Sequence, residues 1–151
     1  MNGQLTADGA KAPPDYQTVV SSVAIAALAI ATAAIHASLG GTLFLLNGAG
    51  YAVLAGAMLV PIPILARNRW LVRVALLGFT LVTIGAWILF GARFTLAYVD
   101  KAIELALVVW LAIEIGRLDG GVFGLVQRTL ALFRLRAPVT SSAGPVMGGV
   151  R

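Results

Sequence analysis

Apolar residues fall into four long runs, at about 18–39, 43–65, 70–90 and 95–116, separated by short polar or glycine breaks. Each run is near the ~20 residues with which a helix crosses about 30 Å of hydrocarbon. None alternates with the period of two that a barrel strand shows, so helices are expected. The breaks, at 40–42, 66–69 and 91–94, are only a few residues long. Links this short make consecutive helices antiparallel neighbours. The pattern predicts an all-α membrane protein, an antiparallel four-helix transmembrane bundle over residues 18–116 with a further amphipathic helix after it.

Smaller signals refine this outline. Pro61 and Pro63 each lack an amide hydrogen, so the second span should bend or end there. Gly48, Ala52 and Gly56 recur at four-residue spacing on the second span, as do Ala29, Ala33 and Ala37 on the first. Small residues let backbones approach closely in lipid, where hydrophobic burial cannot drive pairing, so a tight hairpin is expected. After the fourth span, Asp119 is expected to cap a helix over about 119–136. Phe123, Val126, Leu130 and Phe133 would form its apolar face, with Arg128 and Arg134 off that face, which suits a helix lying on anionic lipid. Residues 1–17 and 137–151 are polar or rich in Gly, Ser and Pro and read as disordered tails. The first run has no clustered positive region before it and exceeds a usual signal length, so it is read as a span, with cleavage at an Ala-x-Ala triplet such as Ala31 to Ala33 the weaker alternative.

Composition changes the picture only by excluding alternatives. Just 11% of residues are charged against 60% apolar, whereas a soluble domain carries about a quarter charged. Such a chain cannot clothe a water-soluble core. The net charge of +5 comes from basic residues dispersed at span ends, which argues for topology and against nucleic acid. An inward N-terminus puts Lys11, Arg67, Arg69, Arg73, Arg117 and Arg128 inside and only Arg93 and Lys101 outside. Both termini are therefore expected in the cytoplasm of a bacterial inner-membrane protein. The absence of cysteine excludes thiolate chemistry and disulfides, and one histidine cannot build a multi-histidine metal site. No metal and no cofactor is expected; His36 as a lone axial ligand to a porphyrin is the weaker alternative.

The chemistry that remains is concentrated at one depth. His36 and Asn47 are equally far from the turn near Gly41, roughly 8 Å below the outer surface, and Tyr51 follows one helical turn on. The fourth run enters from that same side with Asp100, Lys101 and Glu104. Charges inside hydrocarbon persist only when paired, hydrated or functional. Lys101 and Glu104 can pair at i,i+3, while Asp100 and Glu104 repel at i,i+4, so one carboxyl is an expected proton-binding group. The competing reading is a satisfied polar cluster that selects one helix rotation. Deeper in, Glu114, Arg117 and Arg73 are expected to form an ion pair at the inner boundary.

The block from His36 to Tyr51, H-x-S-L-G followed by F-L-L-N-G-x-G-Y, and the later Y-V-D-K-x-I-E from Tyr98 to Glu104 carry a resemblance. They resemble a group of small bacterial four-span membrane proteins without an established activity. The resemblance covers about residues 18–116 and neither tail. It implies membrane topology and marks the same polar layer, but implies no function. No phosphate-binding glycine loop, G-x-S-x-G elbow or H-E-x-x-H motif occurs, so no enzyme is expected. Two functions are compatible: a non-enzymatic accessory subunit of a larger membrane complex, with other membrane subunits or further copies of itself as partners, or a small oligomeric proton- or cation-coupled transporter.

Overall fold

The computed structural model of the chain describes residues 16–134, apart from the side chains of 122, 128 and 132–134. The two expected tails lie outside the described residues, except that Tyr16 and Gln17 already belong to the first helix. Every regular element among the described residues is helical: α1 (Tyr16–Leu39), α2 (Thr42–Leu59), α3 (Pro63–Arg67), α4 (Arg69–Phe90), α5 (Thr95–Leu118) and α6 (Gly121–Arg134).

Local chemistry sets these boundaries. Between α1 and α2 the chain turns through Gly40 and Gly41 at φ 70° and 84°, a left-handed backbone that side chains with a Cβ resist. α2 stops at Leu59 and does not run to residue 65, a correction to the expected second span. Val60 is extended, as suits a residue before proline, and donates its amide to the Gly56 carbonyl. Pro63, which has no amide hydrogen to lose, then opens the five-residue α3. Asn68 joins α3 to α4 and donates from its side chain to the Ile64 carbonyl at 2.9 Å.

The four long helices touch in a closed order. α1 packs on α2 and α5, and α4 packs on the same two partners. The core between them takes Ile25, Ala29 and Ala33 from α1, Tyr51, Ala55 and Met58 from α2, Val72 and Leu76 from α4, and Leu107 and Leu111 from α5. The closest approach is that of α1 and α2. A Cβ on Gly48 would lie 2.8 Å from the Ala33 carbonyl oxygen, so only glycine fits there.

The two expected small-residue stripes are each only partly interfacial. Ala29 and Ala33 are buried but Ala37 is exposed; Gly48 is buried but Ala52 is exposed and nothing lies near Gly56. Steps of four turn about 40° further round a helix each time, so a strict four-residue stripe drifts off the contact face. The buried face of α2 instead steps through Gly48, Tyr51, Ala55 and Met58.

Outward faces are apolar and the charges lie inside. Val23, Ile30, Val53, Val82, Leu89, Val109 and Ile113 are exposed, whereas Asp100, Lys101, Glu104 and Glu114 are buried. Water would not favour that inversion; hydrocarbon would. α1, α2 and α4 are each long and apolar enough to cross a membrane. α5 has the length, but its charges keep it outside the same criterion. On α6, Phe123, Val126 and Leu130 are exposed, while the side chains of Arg128, Phe133 and Arg134 lie outside the described residues.

Candidate functional site

Four helices bring the polar side chains together: the last turn of α1, the middle of α2, the second half of α4 and the first half of α5. Glu104 is the centre of the hydrogen-bonding and is fully buried. Its Oε1 accepts from the Tyr51 hydroxyl at 2.9 Å and lies 3.0 Å from the Thr83 hydroxyl, while Oε2 accepts from the Lys101 ammonium. Tyr51 and Thr83 are themselves 2.8 Å apart. Thr83 Oγ1 also lies 2.8 Å from the Thr80 carbonyl, which fixes the rotamer that faces Glu104.

Lys101 serves both acids. Its Nζ is 3.0 Å from Asp100 Oδ2 as well as bonded to Glu104, so the ammonium sits between carboxylates that would otherwise repel. The i,i+3 pairing of Lys101 with Glu104 is as the spacing suggests, and the contact with Asp100 is added to it. Two carboxyl groups nonetheless face one ammonium, and with both ionised and the imidazole neutral one negative charge is left over.

That excess has a visible location. Asp100 is 2% exposed, and its Oδ1 is buried with no hydrogen-bond partner among the described residues. His36 Nδ1 stands 3.6 Å from this oxygen and 3.0 Å from the Thr32 carbonyl. A carbonyl only accepts, so Nδ1 carries the ring hydrogen and Nε2 is the acceptor nitrogen of the neutral ring. The imidazole is held among aromatic rings, with centroids 5.8 Å from Tyr51 and 6.1 Å from Phe44.

His36, Tyr51, Asp100, Lys101 and Glu104 are thus brought into one cluster. Asn47 takes no part in its hydrogen bonds and lines an adjoining cavity instead. Thr80 and Thr83 were not singled out in the sequence, because threonine is ordinary in an apolar helix. Their spacing from the turn at Gly91, which puts them near the depth of Tyr51 and Glu104, is the signal that would have found them.

The cavity, about 640 Å³, extends from the cluster to the end of the bundle that carries the α1–α2 and α4–α5 connections. His36, Asp100 and Lys101 form its polar end, and Phe44, Phe79, Trp87 and Phe94 contribute its walls. At the rim the Arg93 guanidinium lies 4.5 Å from the Trp87 ring centroid and donates to the Ile88 carbonyl. One oxygen or nitrogen from each of His36, Asp100 and Glu104 falls within 4.8 Å of the others, a spacing that would suit a metal ion. The Lys101 ammonium already bonds both carboxylates, so a divalent ion does not fit without displacing it.

The inner-boundary pairing differs from expectation. Arg73 is buried and bonds Asp119, with Nη1 3.0 Å from Oδ2, and not Glu114. Asp119 closes the C-terminus of α5, where its backbone amide donates to the Ile115 carbonyl. Arg117 reaches the side chain of Gln17 on α1 at 3.1 Å. An exposed arginine on a flexible stem takes the polar partner at the surface over a buried acid. Glu114 is 4% exposed, makes no ion pair among the described residues and has an unpartnered Oε2. Nearby, Trp110 donates to the Ser21 hydroxyl at 2.8 Å and ties α5 to α1.

Compared with known proteins, the chain matches no protein-family model, no curated sequence and no solved structure.

Proposed function

We propose that the chain is a multi-pass protein of a bacterial inner membrane in which α1, α2, α4 and α5 all cross, with both termini cytoplasmic and α6 on the inner surface. In this reading the cluster handles a proton or a small monovalent cation, as the coupling site of a small oligomeric transporter or channel. The observation that carries it is the unpartnered Asp100 Oδ1, buried at the head of a cavity and holding the charge that Lys101 leaves uncompensated. A buried acceptor without a donor is costly unless something else supplies the donor during function.

Purified protein in proteoliposomes with an internal pH dye tests this directly. An imposed sodium or potassium gradient should drive proton movement in the wild type, and Asp100→Asn and Glu104→Gln should each abolish it. Movement equal to that of protein-free vesicles would sink the transport reading.

A second reading has its own support. Glu104 is met by Tyr51, Thr83 and Lys101 together, which is how a purely structural lock between helices would look. We accordingly keep a non-enzymatic accessory subunit of a larger membrane complex as the alternative. Stoichiometric partners retained in mild detergent, with no flux, would favour it.

A further inference from the structure

The cavity is wider than a proton path needs, and its two ends differ in chemistry. About 640 Å³ lies within the range of sites that enclose a small organic molecule. Its walls are aromatic and aliphatic: the rings of Phe44, Phe79, Trp87 and Phe94 line it, and Leu46 and Val82 join them. Its polar end presents Asp100, buried, with one oxygen bonded to Lys101 and the other without a donor.

We propose that the cavity binds an apolar molecule carrying a single primary or secondary ammonium group, whose N–H donates to Asp100 Oδ1. The assignment rests on the transport reading of the same cluster and names the class of its substrate. Each part of the ligand answers one part of the site. A cationic donor completes the hydrogen-bonding of Asp100 and cancels the one excess negative charge. An apolar body fills a volume whose walls, beyond the polar end, are mainly apolar, with Asn47 and Thr83 the polar side chains among them. Aromatic faces near the charge add attraction for a cation. A metal ion would meet the ammonium of Lys101 and leave the apolar volume unfilled. An anion would meet the unpaired carboxylate. Arg93 is exposed, stacks on Trp87 and donates to the Ile88 carbonyl, and it is not among the residues that line the cavity.

The test compares two probes of the same shape, adamantan-1-amine and adamantan-1-ol, by calorimetry on the full chain in phosphatidylcholine nanodiscs. Protein-free nanodiscs supply the partitioning background. The amine should bind saturably and about tenfold or more tighter than the alcohol, the margin of one charge-assisted hydrogen bond. Asp100→Asn should bring the two to equal affinity. Ala86→Phe, which narrows the cavity from its exposed α4 wall and touches no buried polar group, should abolish saturable binding of both even if Asp100→Asn fails to fold. Equal binding of amine and alcohol by the wild type, or no binding above the lipid background, would overturn the assignment. If that result came with intact proton flux in proteoliposomes, only the ligand class would fall. If flux were absent too, the transport reading would fall with it.

Discussion

Tyr51 on α2 donates its hydroxyl to Glu104 on α5 at 2.9 Å, although the two helices face each other across the bundle and pack mainly on α1 and α4. The phenol spans the gap that the small core residues leave. Its ring is fully buried and meets Phe79 edge-on with centroids 4.9 Å apart, so the hydroxyl has little freedom to point elsewhere. Tyr51→Phe keeps the ring and removes the donor. Hydrogen bonds to charged groups contribute about 1.5–3 kcal/mol, and Thr83 remains beside Oε1, so a loss near the lower figure is expected. Thermal unfolding in mild detergent should show it as a lower midpoint, and a midpoint equal to wild type would show that the bond does not stabilise the bundle.

The glycines of α2 should respond unequally. Gly48→Leu places atoms where the Ala33 carbonyl already lies and should cost about 1–3 kcal/mol as α1 is pushed away. Gly56→Leu enters open space and should change stability by less than about 0.5 kcal/mol. Parallel denaturation of the two variants checks the ranking, and similar losses in both would contradict the helix contact described here.

At the other end of the bundle, Asp119 and not Glu114 holds the buried Arg73 guanidinium. Asp119→Ala leaves the buried Arg73 guanidinium without its carboxylate and should cost about 3–5 kcal/mol. Glu114→Gln removes a charge whose Oε2 has no partner, so it should be neutral or stabilising. If Glu114→Gln proved the more damaging of the two, Arg73 would be paired with Glu114 in the membrane.

The chain has no native cysteine, so single cysteines report topology without background. Ser38→Cys and Ala92→Cys should react with a membrane-impermeant maleimide on intact spheroplasts. Asn68→Cys and Leu118→Cys should react only after permeabilisation. Labelling of Leu118→Cys from outside would mean that α5 does not cross.

These contrasts show what the sequence can and cannot express. The depth of the polar layer was readable because a helix advances a fixed distance per residue and the turns are short, so counting from Gly41 and from the start of α5 locates His36, Tyr51, Asp100 and Glu104. Rotation about each axis is not encoded so directly. Asn47 shares that depth yet lines the cavity, and Thr83, unremarkable in sequence, takes the place beside Glu104. The pairing of Asp119 is not legible either, because a carboxylate before two glycines suggests only the start of the next helix. Only the fold shows Arg73 waiting one helix away. The proline pair announced a break, and the backbone places it at Leu59, before the first proline and not after the second.

On the proposed topology, α5 also constrains how the protein is made. Its interior charges disfavour entry into lipid by about 2.5–3.5 kcal/mol each near a helix centre, so this segment cannot partition from the translocon unaided. Its partners for those charges, Tyr51, Thr83 and His36, reside on segments synthesised earlier. On that topology α5 is at home in lipid only once α1, α2 and α4 surround it, which predicts that it enters after them and late.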